Sequence, residues 1–83
     1  MRDFRFMDLF EQLMQIFRDV FGDENLSIKR EMTADDIEDW DSLMHINIIA
    51  ACESTFKIKF AIQELVAFRN VGDIADAIEG KLK

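Results

Sequence analysis

Asp39-Trp40-Asp41-Ser42-Leu43-Met44-His45-Ile46 marks the point where an acidic, aperiodic segment gives way to a helical pattern. Downstream, the pattern predicts a helix over 42–56, with Asp41 or Ser42 as its N-terminal cap. At about 100° per residue, His45, Ile48, Ile49, Cys52 and Phe56 share one sector, wide enough for a core face. Leu43, Ile46 and Ala50 fall on a flank that also carries Asn47. A second apolar stripe is more than a small bundle needs to bury, so this flank is expected to meet a partner. Upstream, Glu31, Asp35, Asp36, Glu38, Asp39 and Asp41 put six of the 17 acidic residues into one stretch, with no Lys or Arg between them. Such a run serves either as a solvated loop or as an electronegative surface for a basic partner.

Further out, residues 4–21 carry a helical period. Phe6, Phe10, Leu13, Phe17 and Val20 form its apolar stripe, thickened by Met7, Met14 and Phe21, with Asp8, Glu11, Gln12, Gln15, Arg18 and Asp19 opposite. Gly22 is placed to end that helix in a left-handed turn. Residues 22–41 have no sustained period, but Leu26, Ile28, Met32, Ile37 and Trp40 are spread through them, so a structured loop packed over the core is expected. Thr33 with Asp36 suits one capped turn within it. After residue 56, Phe56-Lys57-Ile58-Lys59-Phe60 alternates like a strand without a partner strand, and is read as an extended connector. A short helix over 62–68, with Leu65 and Phe68 inward, precedes a last helix over 71–82, started by Asn70-Val71-Gly72-Asp73 and striped by Ile74, Ala75, Ile78 and Leu82. The fold class is all-α: three main helices and one short helix in a four-helix bundle, with a long loop between the first two.

Composition narrows the function. The 83 residues suit one domain, spanning residues 1–83, and 49% hydrophobic content with no Pro favours a folded chain over a disordered one. A net charge of −7 argues against nucleic acid as a partner, because no basic surface exists to displace counterions. No apolar run approaches the ~20 residues of a membrane span, and the N-terminal charges are too dense for a signal-peptide core. A single Cys52 and a single His45 exclude an internal disulfide and a multi-histidine or cysteine-based metal site within one chain. A monomer in a reducing cytoplasm is the expectation. Ser42 and His45 stand three apart and invite a nucleophile–base reading, but no third group or oxyanion pocket accompanies them, so no catalytic residue is assigned. His45 is read instead as a polar-tipped residue at the core edge, and Cys52 as packing.

Taken together, these motifs resemble the acyl carrier protein family, including its peptidyl and aryl carriers. The resemblance rests on the first amphipathic helix, the long loop, Trp40-Asp41-Ser42-Leu43-x-His45-Ile46, the Phe56-x-Ile58 exit and the Val71-Gly72-Asp73 start, and so spans nearly the whole chain. It implies that Ser42, flanked by Asp41 and Leu43, receives 4′-phosphopantetheine from coenzyme A through a magnesium-dependent phosphopantetheinyl transferase. It also implies a non-catalytic carrier of acyl or aminoacyl thioesters, sometimes sheltered between helices, for acyl-activating, ketosynthase or acyltransferase-type enzymes. The expected partner surface comprises Asp35, Asp36, Glu38, Asp39, Trp40, Leu43, Met44, Ile46, Asn47 and Ala50. Met44 and Asn47 replace acids that are frequent in carriers of fatty-acid synthesis, Lys57 and Lys59 add positive charge, and Ala61 stands where Pro often follows the connector. These departures point to a specialised pathway: polyketide, nonribosomal peptide or modified fatty acid. The alternative is an unmodified helical interaction module with the same fold.

Overall fold

Apolar spacing and local caps produce four helices in the computed structural model, which describes residues 9–37 and 39–82: α1 (Leu9–Phe21), α2 (Ser42–Phe56), α3 (Ile62–Ala67) and α4 (Val71–Leu82). No strand occurs among the described residues. Residues 4–8 of the expected first helix, with Phe6, Met7 and Asp8, lie outside the described residues, as does Glu38.

α1 packs against both α2 and α4. Because two neighbours cover it, the buried sector includes Ile16 as well as Leu13 and Phe17, and is wider than the stripe of Phe and Val residues predicts. Phe10, Met14, Val20 and Phe21 are half-buried at its margins. Gly22 adopts φ +65°, and Asp23 N–H donates back to the Arg18 carbonyl at 3.0 Å, so the helix closes in the expected left-handed turn.

The 22–41 loop is bound to the bundle by its own apolar residues and by α4. Ile28, Ile37 and Trp40 are buried, and Leu26 and Met32 are half-buried. Val71 N–H donates to the Met32 carbonyl at 2.9 Å and Gly72 N–H to the Arg30 carbonyl at 2.8 Å. The first amides of a helix have no partner within it, so α4 uses two of them to hold the loop. Thr33 and Asp36 close their expected turn, with Thr33 N–H donating to Asp36 Oδ2 at 3.0 Å and Asp36 N–H to the Thr33 carbonyl at 2.9 Å.

The connector after α2 differs from the extended segment that its alternation suggests. Lys57 takes a left-handed conformation, φ 58° and ψ 52°, and its N–H caps the helix on the Glu53 carbonyl. The Glu53 carboxylate then accepts Phe60 N–H at 2.9 Å. Ile58 and Phe60 still turn toward the core while Lys57 and Lys59 face solvent, so the inward–outward alternation survives without a strand. α3 stops one residue before the predicted end. Phe68 is extended, with its ring against His45 and Phe60. The start of α4 is capped by Asn70, whose Oδ1 accepts Asp73 N–H at 2.8 Å.

Candidate functional site at the start of α2

Asp41 caps α2. Its backbone is extended and its Oδ1 accepts Met44 N–H at 2.9 Å, which ends the loop and orients the first turn. Ser42 follows as the first helical residue and is exposed. No acid lies in the first turn of α2, and the capping Asp41 carboxylate faces the positive end of its dipole.

Beside Ser42 lies an open groove of about 540 Å³ between α2 and α3, lined by Ser42, His45, Ile46 and Ile49 on one side and Ile62, Leu65, Val66 and Phe68 on the other. Its lining is mainly apolar, with Asp41 at the Ser42 end. Under it runs a chain of rings. Phe17 meets Trp40 edge-on at 5.3 Å between centroids, Trp40 stacks on His45 at 5.9 Å, and His45 meets Phe68 at 6.3 Å. These separations fall in the favourable range for aromatic pairs. Trp40 Nε1–H also donates to His45 Nδ1 at 3.2 Å.

Trp40, expected both among the core-packed loop residues and on the partner surface, takes the core position, which corrects the second reading. It is only 8% exposed, because its ring fills the space over Phe17 and its one polar atom has a partner in His45. The other expected surface residues divide by position. Asp35, Asp36 and Asp39 are exposed in the loop, Leu43, Ile46, Asn47 and Ala50 are exposed on α2, and Met44 is half-buried. The sequence reading missed α3's share of the apolar surface. Ile62 and Val66 are 76% and 78% exposed, alongside Leu43 at 65% and Ile46 at 60%. Their spacing of four residues on one helix face was the available signal.

At the far end of α3, Glu64 Oε1 accepts Ala61 N–H at 2.7 Å and lies 3.1 Å from Lys81 Nζ. The Ala61 amide first, and Lys81 second, hold the Glu64 carboxyl below its usual range. Among the described residues, no group of three or more His, Cys, Asp or Glu side chains could hold a metal ion. No described helix is long and apolar enough to cross a membrane.

Residues 11–78 match the family described as "Phosphopantetheine attachment site". The solution NMR structure of a holo acyl carrier protein from Geobacter metallireducens is similar to this fold, with a TM-score of 0.85 and 47% identity over 92% of this chain and 87% of that one. No curated protein matches the sequence. A family match across most of the chain, together with nearly half its residues identical in a superposable carrier, goes well beyond a shared helical architecture. The chain therefore belongs to the acyl carrier proteins of the phosphopantetheine-attachment family, non-catalytic carriers that work through a covalent 4′-phosphopantetheine.

Proposed function

We propose that Ser42 is the attachment residue, and that the chain carries acyl or aminoacyl intermediates in a specialised biosynthetic pathway. The observation that carries the first part is an exposed hydroxyl opening α2, inside Asp41-Ser42-Leu43, at the edge of an apolar groove. These surroundings fit the group. A phosphate ester on Ser42 would stand at the positive end of a 15-residue helix, where negative charge is favoured. The bound arm supplies a thiol that holds the acyl group as a thioester. On attachment, Ser42 Oγ would form a phosphodiester with the pantetheine phosphate of coenzyme A as the P–O bond of its pyrophosphate breaks, the nucleotide half leaving on that oxygen and the hydroxyl proton passing to the phosphopantetheinyl transferase. Asp41 keeps the first turn of α2 in register throughout, and the α2–α3 groove offers an apolar surface to the distal part of a cargo.

The specialised pathway is supported by what α2 presents. From Ser42 to Cys52 it has no acidic residue, and its exposed face is Leu43, Ile46, Asn47 and Ala50. Partners of such a helix must make close apolar contact, with basic residues reserved for the loop acids Asp35, Asp36 and Asp39. Acyl-activating, ketosynthase and acyltransferase-type enzymes with that surface are the proposed partners. Incubation with coenzyme A and a broad-specificity transferase tests the assignment by intact mass. One phosphopantetheine should appear on the parent and none on Ser42→Ala, with the helical circular dichroism of the variant retained. An arm on any residue of Ser42→Ala would refute the site, and an unmodified parent would favour the interaction-module alternative.

A further inference from the structure

α3 has six residues and none of them is buried, so its own packing does little to hold it in place. It is nevertheless one wall of the groove, through Ile62, Leu65 and Val66. Two tethers act on it. Glu64, through Lys81 and the Ala61 amide, secures its first turn, and His45 Nε2 lies 3.3 Å from the Leu65 carbonyl oxygen in its last turn. The second ring nitrogen of His45 faces Trp40 Nε1 at 3.2 Å. An indole nitrogen can only donate and a carbonyl oxygen can only accept. The two contacts together therefore admit one arrangement: a neutral imidazole that accepts at Nδ1 and carries its proton on Nε2.

We propose that His45 is a positioning residue, a latch that holds α3 against α2 and thereby keeps a linear apolar acyl chain in the groove. Trp40, seated on Phe17 in the core, sets the ring plane and the tautomer. His45 passes that constraint to α3 through the Leu65 carbonyl. The proposal rests on the Ser42 reading, because a chain carried at Ser42 starts at the groove's edge.

Two variants take the latch apart. In His45→Gln the side-chain amide reaches the position of Nε2 and can donate to Leu65, but nothing faces Trp40. In His45→Asn the side-chain oxygen stands near the position of Nδ1 and accepts from Trp40, but α3 is released. Trp40 is the only tryptophan, so its indole N–H gives one unambiguous NMR signal. The Asn variant should keep that proton protected while the Leu65 and Val66 amides exchange about tenfold faster, as expected for one lost hydrogen bond. The shifts that an octanoyl cargo induces at Ile62, Leu65 and Val66 should shrink in the same variant. The Gln variant should show the reverse, with α3 and its cargo-induced shifts preserved and the indole proton exchanging faster. In the parent, imidazole nitrogen shifts should report the Nε2–H tautomer, a measurement that needs no substitution.

A merely structural His45 would make the two variants fail alike. Equal behaviour of both variants at both places, or an Nδ1–H tautomer in the parent, would overturn the latch. Intact mass separates this from failure of the Ser42 reading. A parent that accepts no arm refutes Ser42, while exchange and imidazole shifts on the unloaded chain still decide the role of His45.

Discussion

Cys52 has no exposed surface, and its neighbours on α2 are the buried Ile48 and Ile49. Burial first, and the nearby Glu53 carboxylate second, push its thiol up to about 12. The thiolate is the reactive form, so Cys52 is inert in the folded chain at neutral pH. The unfolded chain ionises this group at a lower pH than the folded one. Stability from this residue is therefore intact below the ordinary thiol value and is lost as pH rises from there toward about 12. Iodoacetamide at neutral pH should leave the unmodified folded protein unlabelled and label one thiol after denaturation. On the carrier form it should add one fast-reacting thiol, that of the arm, which makes alkylation a simple count of loading. Trp40 shows which of two readings of a single residue wins. Acids precede and follow it in the sequence, yet its ring lies inside, because an indole gains more from Phe17 and a hydrogen bond to His45 than from solvent.

α2 is the element with the most distinct ends. It begins at a side-chain cap, Asp41, and finishes at Lys57 in a left-handed conformation that suits Gly far better than Lys. A non-glycine residue there costs about 1–2 kcal/mol, partly offset by the smaller entropy it loses on folding. Lys57→Gly should accordingly stabilise the protein by on the order of 0.5–1 kcal/mol, read as a higher urea midpoint with an unchanged slope. A lower midpoint would mean that the Lys57 side chain contributes more than its backbone costs. α3 behaves differently as an element. With no cap from the Ala61 side chain and no buried residue, it depends on the contacts of its own Glu64 with Lys81, and on His45 and Phe68 beside it.

Across the whole molecule, one buried core joins α1, the loop, α2 and α4. Phe17 is fully buried and its ring touches those of Phe21 and Trp40. Phe17→Ala should cost about 3–5 kcal/mol, cavity included. A small domain has only about 5–15 kcal/mol in total, so the variant should melt much lower or be largely unfolded. A parent-like melt would show that the core lies elsewhere. The proposed docking surface is also a property of the whole, since it joins the loop, α2 and α3. Neutralising Asp35 and Asp39 should slow transferase association most at low salt, because charges beyond about 10 Å are screened at ~0.1 M. Replacing Leu43 or Val66 with Ser should raise dissociation at every salt concentration, because apolar contact sets residence time. Stopped-flow binding across a salt series distinguishes the two effects. Salt-independent rates, with all variants matching the parent, would mean the surface is only solvated.

Local chemistry alone settles a large part of this protein. The span Ser42–Phe56, the cap at Asp41, the turn at Gly22 and the start of α4 at Val71 all follow from interactions a few residues apart, which the linear order displays directly. The same holds for Leu43, Ile46 and Ala50 lying off the core face of α2. Tertiary structure decides what covers each face. Ile16 is buried because α1 has two neighbours, and Arg30 reaches Asp76 across 46 positions of sequence. Trp40 and His45 become the floor of a groove only when α3 arrives twenty residues later to close its side. Periodicity records which way a side chain turns on its own helix. The element that meets it there is chosen by the packing of the whole chain.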